Sequence, residues 1–169
     1  MWAHVTAFLA RRARTGDVAG IKALVDRYAG RVLLAKDMVT LYEDVQEFWV
    51  VEQDSLIVGC GALHVLWQDL AEIRTVAVDP ELAGKGVGHA LVHALLRTAR
   101  ELGVRRVFVL TFEREFFSRH GFVEIDGTPV APAVYEQMRR SYDEGVAEFL
   151  DLAYVRPNTL GNARMLLQL

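Results

Sequence analysis

Residues 76–91 read VAVDPELAGKGVGHAL. An apolar run meets Asp79-Pro80. Three glycines then follow at alternate positions, Gly84, Gly86 and Gly88, before an apolar helical pattern begins. The N–H groups that open a helix point outward and carry partial positive charge. A phosphate docks there readily, and glycine removes the β-carbons that would hold it off. The stretch reads as a phosphate cradle opening a helix over residues 88–102. The plain alternative is a tight strand-to-helix turn with no ligand. The nucleotide pattern G-x-x-x-x-G-K-[ST] is absent, and G-x-G-x-x-G counted from Gly84 ends on His89 rather than glycine. A second arrangement lies just upstream in LAEIRTVAV, where Glu72 stands two residues from Arg74 and four from Val76. Strand geometry puts side chains at that spacing on one face. His89 and His93 stand one helical turn apart, but the Ala-Leu-Val between them lacks the glutamate of H-E-x-x-H. They read as helix-surface residues, with no metal.

These residues need elements to hold them. Residues 5–14 read as a strand ending at Thr15-Gly16-Asp17, with Thr15 as helix cap. Val18, Ile21, Val25 and Tyr28 then share a helical face. A second short helix follows through Leu41, Val45 and Phe48, capped by Thr40. Residues 48–52 and 56–67 are β-rich runs joined by Gln53-Asp54-Ser55, a hairpin pattern. Residues 71–78 form the next strand. The helix over 88–102 turns Leu91, Leu95 and Leu102 inward and stops at Gly103. Residues 106–112 form a buried strand, 113–119 a short helix, 122–126 a strand, 132–142 a helix and 149–155 a strand. The order is βααβββαβαβ with a helix and strand added. The crossover helix in the middle implies parallel pairing. The expected fold is α/β, a mixed sheet with helices on both faces.

The 169 residues suit one domain, taken as 1–169. The chain is 52% hydrophobic and 24% charged, with a formal net charge of -3 and no basic tract to track a nucleic-acid backbone. No apolar run approaches the roughly 20 residues of a membrane span. The N-terminus, MWAHVTAFLARRAR, has its basic cluster after its apolar stretch, the reverse of a signal peptide. The one cysteine, Cys60, rules out a disulfide within the chain and suits a reducing cytosol. A soluble cytoplasmic protein is expected, with no nucleic-acid partner and no membrane partner. The apolar segment Met165–Leu169 allows a homodimer.

Ala83-Gly84-Lys85-Gly86-Val87-Gly88 resembles the acetyl-CoA-binding motif [RQ]-x-x-G-x-[GA] of the Gcn5-related N-acetyltransferases, with Ala83 in place of Arg or Gln. The element order is similar to that family's as well. The resemblance implies that the loop amides, through His89, hold the pyrophosphate of acetyl-CoA. It also implies that Val76, Ala77 and Val78 pair with the pantetheine arm like an added strand. Residues 106–122, RVFVLTFEREFFSRHGF, are similar to the family's strand, short helix and Gly-Phe. Many members place a tyrosine four residues before that glycine, as the acid for the departing thiolate. Phe117 stands there beside the cofactor and cannot donate a proton. Either another group serves or CoA leaves as the thiolate, tolerable for a thiol of pKa about 8.5.

In such a reaction the acceptor amine must lose a proton before it attacks the thioester. Glu72, in an AEI context resembling that of the family's histone-acetylating branch, is the first base. Glu113 and His64 are in reserve. VGCGALHVL, LAEIRTVAVDP and the segments around them resemble the acetyltransferase domain of bacterial N-acetylglutamate synthases, over most of residues 11–126. The remainder resembles the short stand-alone form of these enzymes. The implied acceptor is L-glutamate, with L-glutamine kept because Phe112-Glu113-Arg114 stands where the long synthases have a T-R-S run. A glutamate site needs cations for its carboxylates. Lys36 and Arg74 are the candidates, Arg156 and Arg164 read as surface charges, and Cys60 borders the acceptor amine or packs as a small buried residue. Two other readings stand beside this one. One is the same fold acting on a protein N-terminus, a polyamine or a drug amine. The other is an acyl-CoA sensor without turnover.

Overall fold

The computed structural model describes residues 7–29, 33, 35–155 and 161–169. The strands are Ala10–Arg12 (β1), Phe48–Gln53 (β2), Leu56–Trp67 (β3), Leu70–Val78 (β4), Arg106–Thr111 (β5), Val123–Glu124 (β6) and Ala163–Gln168 (β7). The helices are Val18–Asp26 (α1), Met38–Glu43 (α2), Val87–Glu101 (α3), Arg114–Arg119 (α4), Pro132–Met138 (α5) and Glu144–Phe149 (α6). The strands form a seven-stranded sheet in the order β1-β2-β3-β4-β5-β7-β6. The mixed α/β fold expected from the sequence is the one observed, with β4 and β5 parallel across the crossover helix α3.

By contact density the chain divides into two compact units. The first comprises Met1–Leu63 and Thr75–Thr98, and the second His64–Arg74 and Ala99–Leu169. In the first unit, β1 and β2 pair antiparallel and β2 continues antiparallel with β3. Gln53 pairs with Leu56, leaving Asp54 and Ser55 as a two-residue turn. Both have positive φ, 51° and 65°, as a type I′ hairpin turn demands. Val18, Ile21, Leu24 and Val25 of α1 pack in one cluster with Leu41, Phe48, Val50, Cys60 and Ala77. The helix α3 lies close on β3. A β-carbon added at Gly59 would meet Val87 Cγ1 at 2.5 Å, and one at Gly61 would meet Leu95 Cδ1 at 3.1 Å. Glycine at these positions seats the helix.

In the second unit, β5 pairs parallel with β4 and antiparallel with β7, and β7 carries β6. Leu66, Leu70, Phe108, Met138, Val146, Phe149 and Leu150 form its core. The Phe108 and Phe149 rings meet edge to face at 4.9 Å. Arg164 stacks over Phe108 and donates to the carbonyls of Gly127, Glu148 and Phe149. It thereby satisfies acceptors at the C-terminal end of α6, where the sequence suggested a surface charge.

Several local expectations change. Residues 149–155 are the end of α6 and a 3-10 turn, Ala153–Val155, rather than a strand. The Asp143 carboxylate accepts from the Val146 N–H at 2.9 Å and starts a helix, so the apolar residues that follow bury on a helical face. The final strand is β7. α5 ends at Met138, short of residue 142. Leu102 is 59% exposed because α3 stops at Glu101 and the chain turns at Gly103, φ 85°. Asp17 rather than Thr15 occupies the N-cap of α1, its carboxylate taking both Arg11 Nη groups at 2.8 and 2.9 Å. Asp37 rather than Thr40 precedes α2. Arg156 lies outside the described residues.

Candidate active site

The glycine loop belongs to the first unit. Strand β4 ends at Val78, whose carbonyl accepts the Tyr28 hydroxyl at 2.5 Å. The next residue, Asp79, donates its N–H to Val58 O at 2.8 Å and accepts from the Glu81 N–H at 3.0 Å. These bonds fix where the chain leaves the sheet. A 3-10 turn, Pro80–Leu82, follows with proline at its start, where a missing N–H costs nothing. Gly84 and Gly86 then take φ of 75° and 99°. A β-carbon at either would meet nothing within 4 Å. These two glycines answer a backbone need and leave open space, unlike Gly59 and Gly61, which answer a packing need. Gly88 is already inside α3. The first-turn N–H groups of α3 have no acceptor within the helix. An open, positively polarised turn of this kind fits a pyrophosphate. Lys85 and His89 are exposed beside it.

Strand β4 also carries the charged group of the second unit. Glu72 is 6% exposed. Arg74 Nε donates to Glu72 Oε1 at 3.0 Å, and Arg74 Nη1 donates to Asp143 Oδ1 at 2.7 Å. The guanidinium is thus gripped by two carboxylates. Burial pushes the Glu72 carboxyl above its ordinary range. The charges of Arg74 and His64 and the Arg74 hydrogen bond pull it back, and the Asp143 charge adds to the rise. Burial acts on Asp143 in the same upward sense. There it is outweighed by the Arg74 charge and hydrogen bond, so that carboxyl is held below its usual range. A carboxylate whose proton affinity is raised is a stronger proton acceptor than an ordinary one.

Between the two groups along β4, Thr75 adopts φ 56° and is buried. A β-branched residue in the left-handed region is a true outlier, and such strain collects at functional positions. Arg74 and Val76 on either side of it are both half-buried. Pairing with β5 runs from Leu70–Arg106 to Ile73–Val109, just before this point.

The other residues singled out by the sequence lie on separate elements. Cys60 is 0% exposed in the core cluster, and its Sγ–H donates to Thr75 O at 3.5 Å. Burial raises its thiol to about 12. Lys36 is half-buried ahead of α2, and Glu113 is exposed at the start of α4. Phe117 is buried in α4, edge to face with Phe116 and Phe122 at 5.0 and 5.3 Å. His89 and His93 are exposed, and no cluster of three metal-ligating side chains occurs among the described residues. No helix among them is long and apolar enough to cross a membrane. Sequence reading missed Asp143 and Gly145. The N-cap signal at Asp143 was present, but its partnership with Arg74, 69 residues away, was not.

The sequence model of the acetyltransferase (GNAT) family matches residues 20–122, from α1 through the Gly-Phe after α4. The chain belongs to the GNAT family. Among GNAT proteins it is 68% identical, over 162 residues covering 94% of this chain and 93% of the relative, to an amino-acid acetyltransferase from Mycobacterium tuberculosis. The solved structure of Rv2747 from the same organism, in complex with CoA and NLQ, superposes with a TM-score of 0.93 at 67% identity, over 95% of this chain and 99% of that one. N-acetylglutamate synthase from Neisseria gonorrhoeae, complexed with coenzyme A and N-acetyl-glutamate, shares the fold at a TM-score of 0.75 and 24% identity. This chain is 96% covered there but accounts for only 35% of that protein.

Proposed function

We propose that the chain is an amino-acid N-acetyltransferase that moves the acetyl group of acetyl-CoA to the α-amino nitrogen of L-glutamate or L-glutamine, the opening step of arginine synthesis. The observation that carries this reading is the near full-length similarity to the M. tuberculosis amino-acid acetyltransferase. The match to a solved relative that holds CoA supports the cofactor. The narrowing to glutamate or glutamine rests on the resemblance of VGCGALHVL and LAEIRTVAVDP to the synthases. The same reading takes residues 1–169 as one acetyltransferase domain, working in the cytoplasm with a small-molecule substrate and able to form a homodimer.

Acetyl-CoA supplies an acyl group already activated by a thiol leaving group. The loop Ala83–His89 holds its pyrophosphate on backbone N–H groups, with Gly84 and Gly86 leaving the space. Val76, Ala77 and Val78 offer backbone groups to the pantetheine arm, and a β4 N–H polarises the thioester carbonyl as negative charge develops on its oxygen. Glu72 takes the proton from the acceptor ammonium, directly or through water, and the free amine attacks in a ternary complex. Glu113 is the reserve for that role. Lys36 supplies a cation to the acceptor's carboxylate. Phe117 stands where the family's tyrosine would offer a hydroxyl, so CoA departs as the thiolate.

The test is release of free thiol from acetyl-CoA against a panel of L-amino acids. Turnover with glutamate or glutamine alone is expected. Acetyl-CoA binding without turnover on any amino acid would overturn the proposal in favour of another amine or the sensor reading that Phe117 favours.

A further inference from the structure

Arg74 is placed oddly for a structural arginine. Its guanidinium lies against the first turn of α6. A β-carbon at Gly145 would come within 2.6 Å of its Cζ and 2.7 and 2.8 Å of its two terminal nitrogens. A cation is disfavoured at the positive end of a helix, so helix stability does not explain the placement. Asp143 offsets it, capping α6 through Val146 N–H and binding Arg74 Nη1 with the same oxygen, Oδ1. The opposite edge of the guanidinium, Nε, meets Glu72. One cation is therefore shared between the proposed base and a carboxylate whose backbone is fixed by the turn into α6.

We infer that Asp143 is a positioning residue for Glu72, acting through Arg74, and that Gly145 keeps the room this relay needs. By drawing on the far edge of the guanidinium, Asp143 fixes which edge faces Glu72 and divides its positive charge. Glu72 keeps one hydrogen bond that aims its carboxylate, without the full attraction of an unshared arginine that would weaken it as a base. Among the described residues, the groups whose charge reaches Glu72 are Arg74 on its own strand, His64 on β3, Asp143 at the start of α6 and Arg164 on β7. Only Asp143 both raises the proton affinity of Glu72 and touches its hydrogen-bonded partner.

The inference rests on Glu72 being the base, and three variants separate the two claims. Asp143→Asn keeps an N-cap oxygen and a hydrogen bond to Arg74 and removes only the charge. The acid limb of its pH profile for kcat should move to lower pH. Its plateau kcat should fall by about threefold to tenfold, a small share of what a general base contributes. The KM for either substrate should stay near wild type, while the melting temperature should fall as Arg74 loses part of its compensation. Gly145→Ala improves local helix propensity yet displaces the guanidinium, and should lower kcat with acetyl-CoA KM unchanged. Glu72→Gln should abolish the acid limb. A Glu72→Gln enzyme that keeps both its limb and its rate would remove the base, and the inference with it. Loss of the limb in Glu72→Gln, with Asp143→Asn and Gly145→Ala both like wild type, would overturn the inference alone. A change in Asp143→Asn confined to the amino-acid KM would assign Arg74 to the acceptor carboxylate and overturn it as well.

Discussion

Burial dominates the chemistry of Glu72, the proposed base. Desolvation raises its carboxyl, while the charge and hydrogen bond of Arg74 act against that rise. Two results follow from the one cause. Turnover should climb with pH through the raised pKa, and Glu72→Gln should lower kcat by about 10²- to 10⁴-fold with acetyl-CoA affinity unchanged in a binding titration. The stability term runs the other way. A carboxyl raised in the folded state contributes stability that is present below its unfolded pKa and lost as pH rises through the folded value. Denaturation midpoints should show Glu72→Gln gaining relative to wild type as pH increases through that window. Asp17 is the opposite case. The Arg11 hydrogen bond leads the causes that hold it below its usual range, so its contribution is present at neutral pH and lost on acidification through its folded pKa. The candidate base came from the resemblance of its AEI context to the family, and strand spacing placed Glu72 on one face with Arg74. Asp143 was not legible in the sequence, because only the fold brings its carboxylate to a residue on a distant strand.

At the scale of elements, local signals were read well and tertiary ones poorly. Asp54-Ser55 and the Gly84–Gly88 loop were visible because turn chemistry is written in neighbouring residues. Residues 149–155 were misread because a short apolar run fits a buried strand or a helix flank equally, and the helix start at Asp143 decides between them. Gly59 and Gly61 passed unnoticed, since a glycine inside a strand says nothing of the helix that lies on it. Gly59→Ala should cost about 1–3 kcal/mol through overpacking against Val87, seen as a lowered unfolding midpoint. Ser55→Gly should gain about 0.5–1 kcal/mol by relieving positive φ in the hairpin. Gly86→Val forces a branched residue into φ 99°. It should weaken acetyl-CoA binding by roughly tenfold or more, about 1.4 kcal/mol, in a direct titration. Normal affinity there would mean that the phosphates sit elsewhere.

At the scale of the whole chain, the outline of the fold was recoverable from the alternation of strand and helix patterns, and the parallel pairing from a single crossover. The placement of β7 between β5 and β6 was not, because nothing in ARMLLQ names its neighbours. One inventory of the molecule has a further consequence. A protein that handles thioesters risks transthioesterification, in which its own thiolates steal the acyl group. This chain owns a single sulfhydryl, and Cys60 is enclosed in the core with its proton held up to about 12. Incubation with acetyl-CoA should leave the intact protein's mass unchanged, and thiol-directed alkylating reagents should react only after denaturant is added. The core that builds the sheet also makes the molecule chemically inert toward its own substrate.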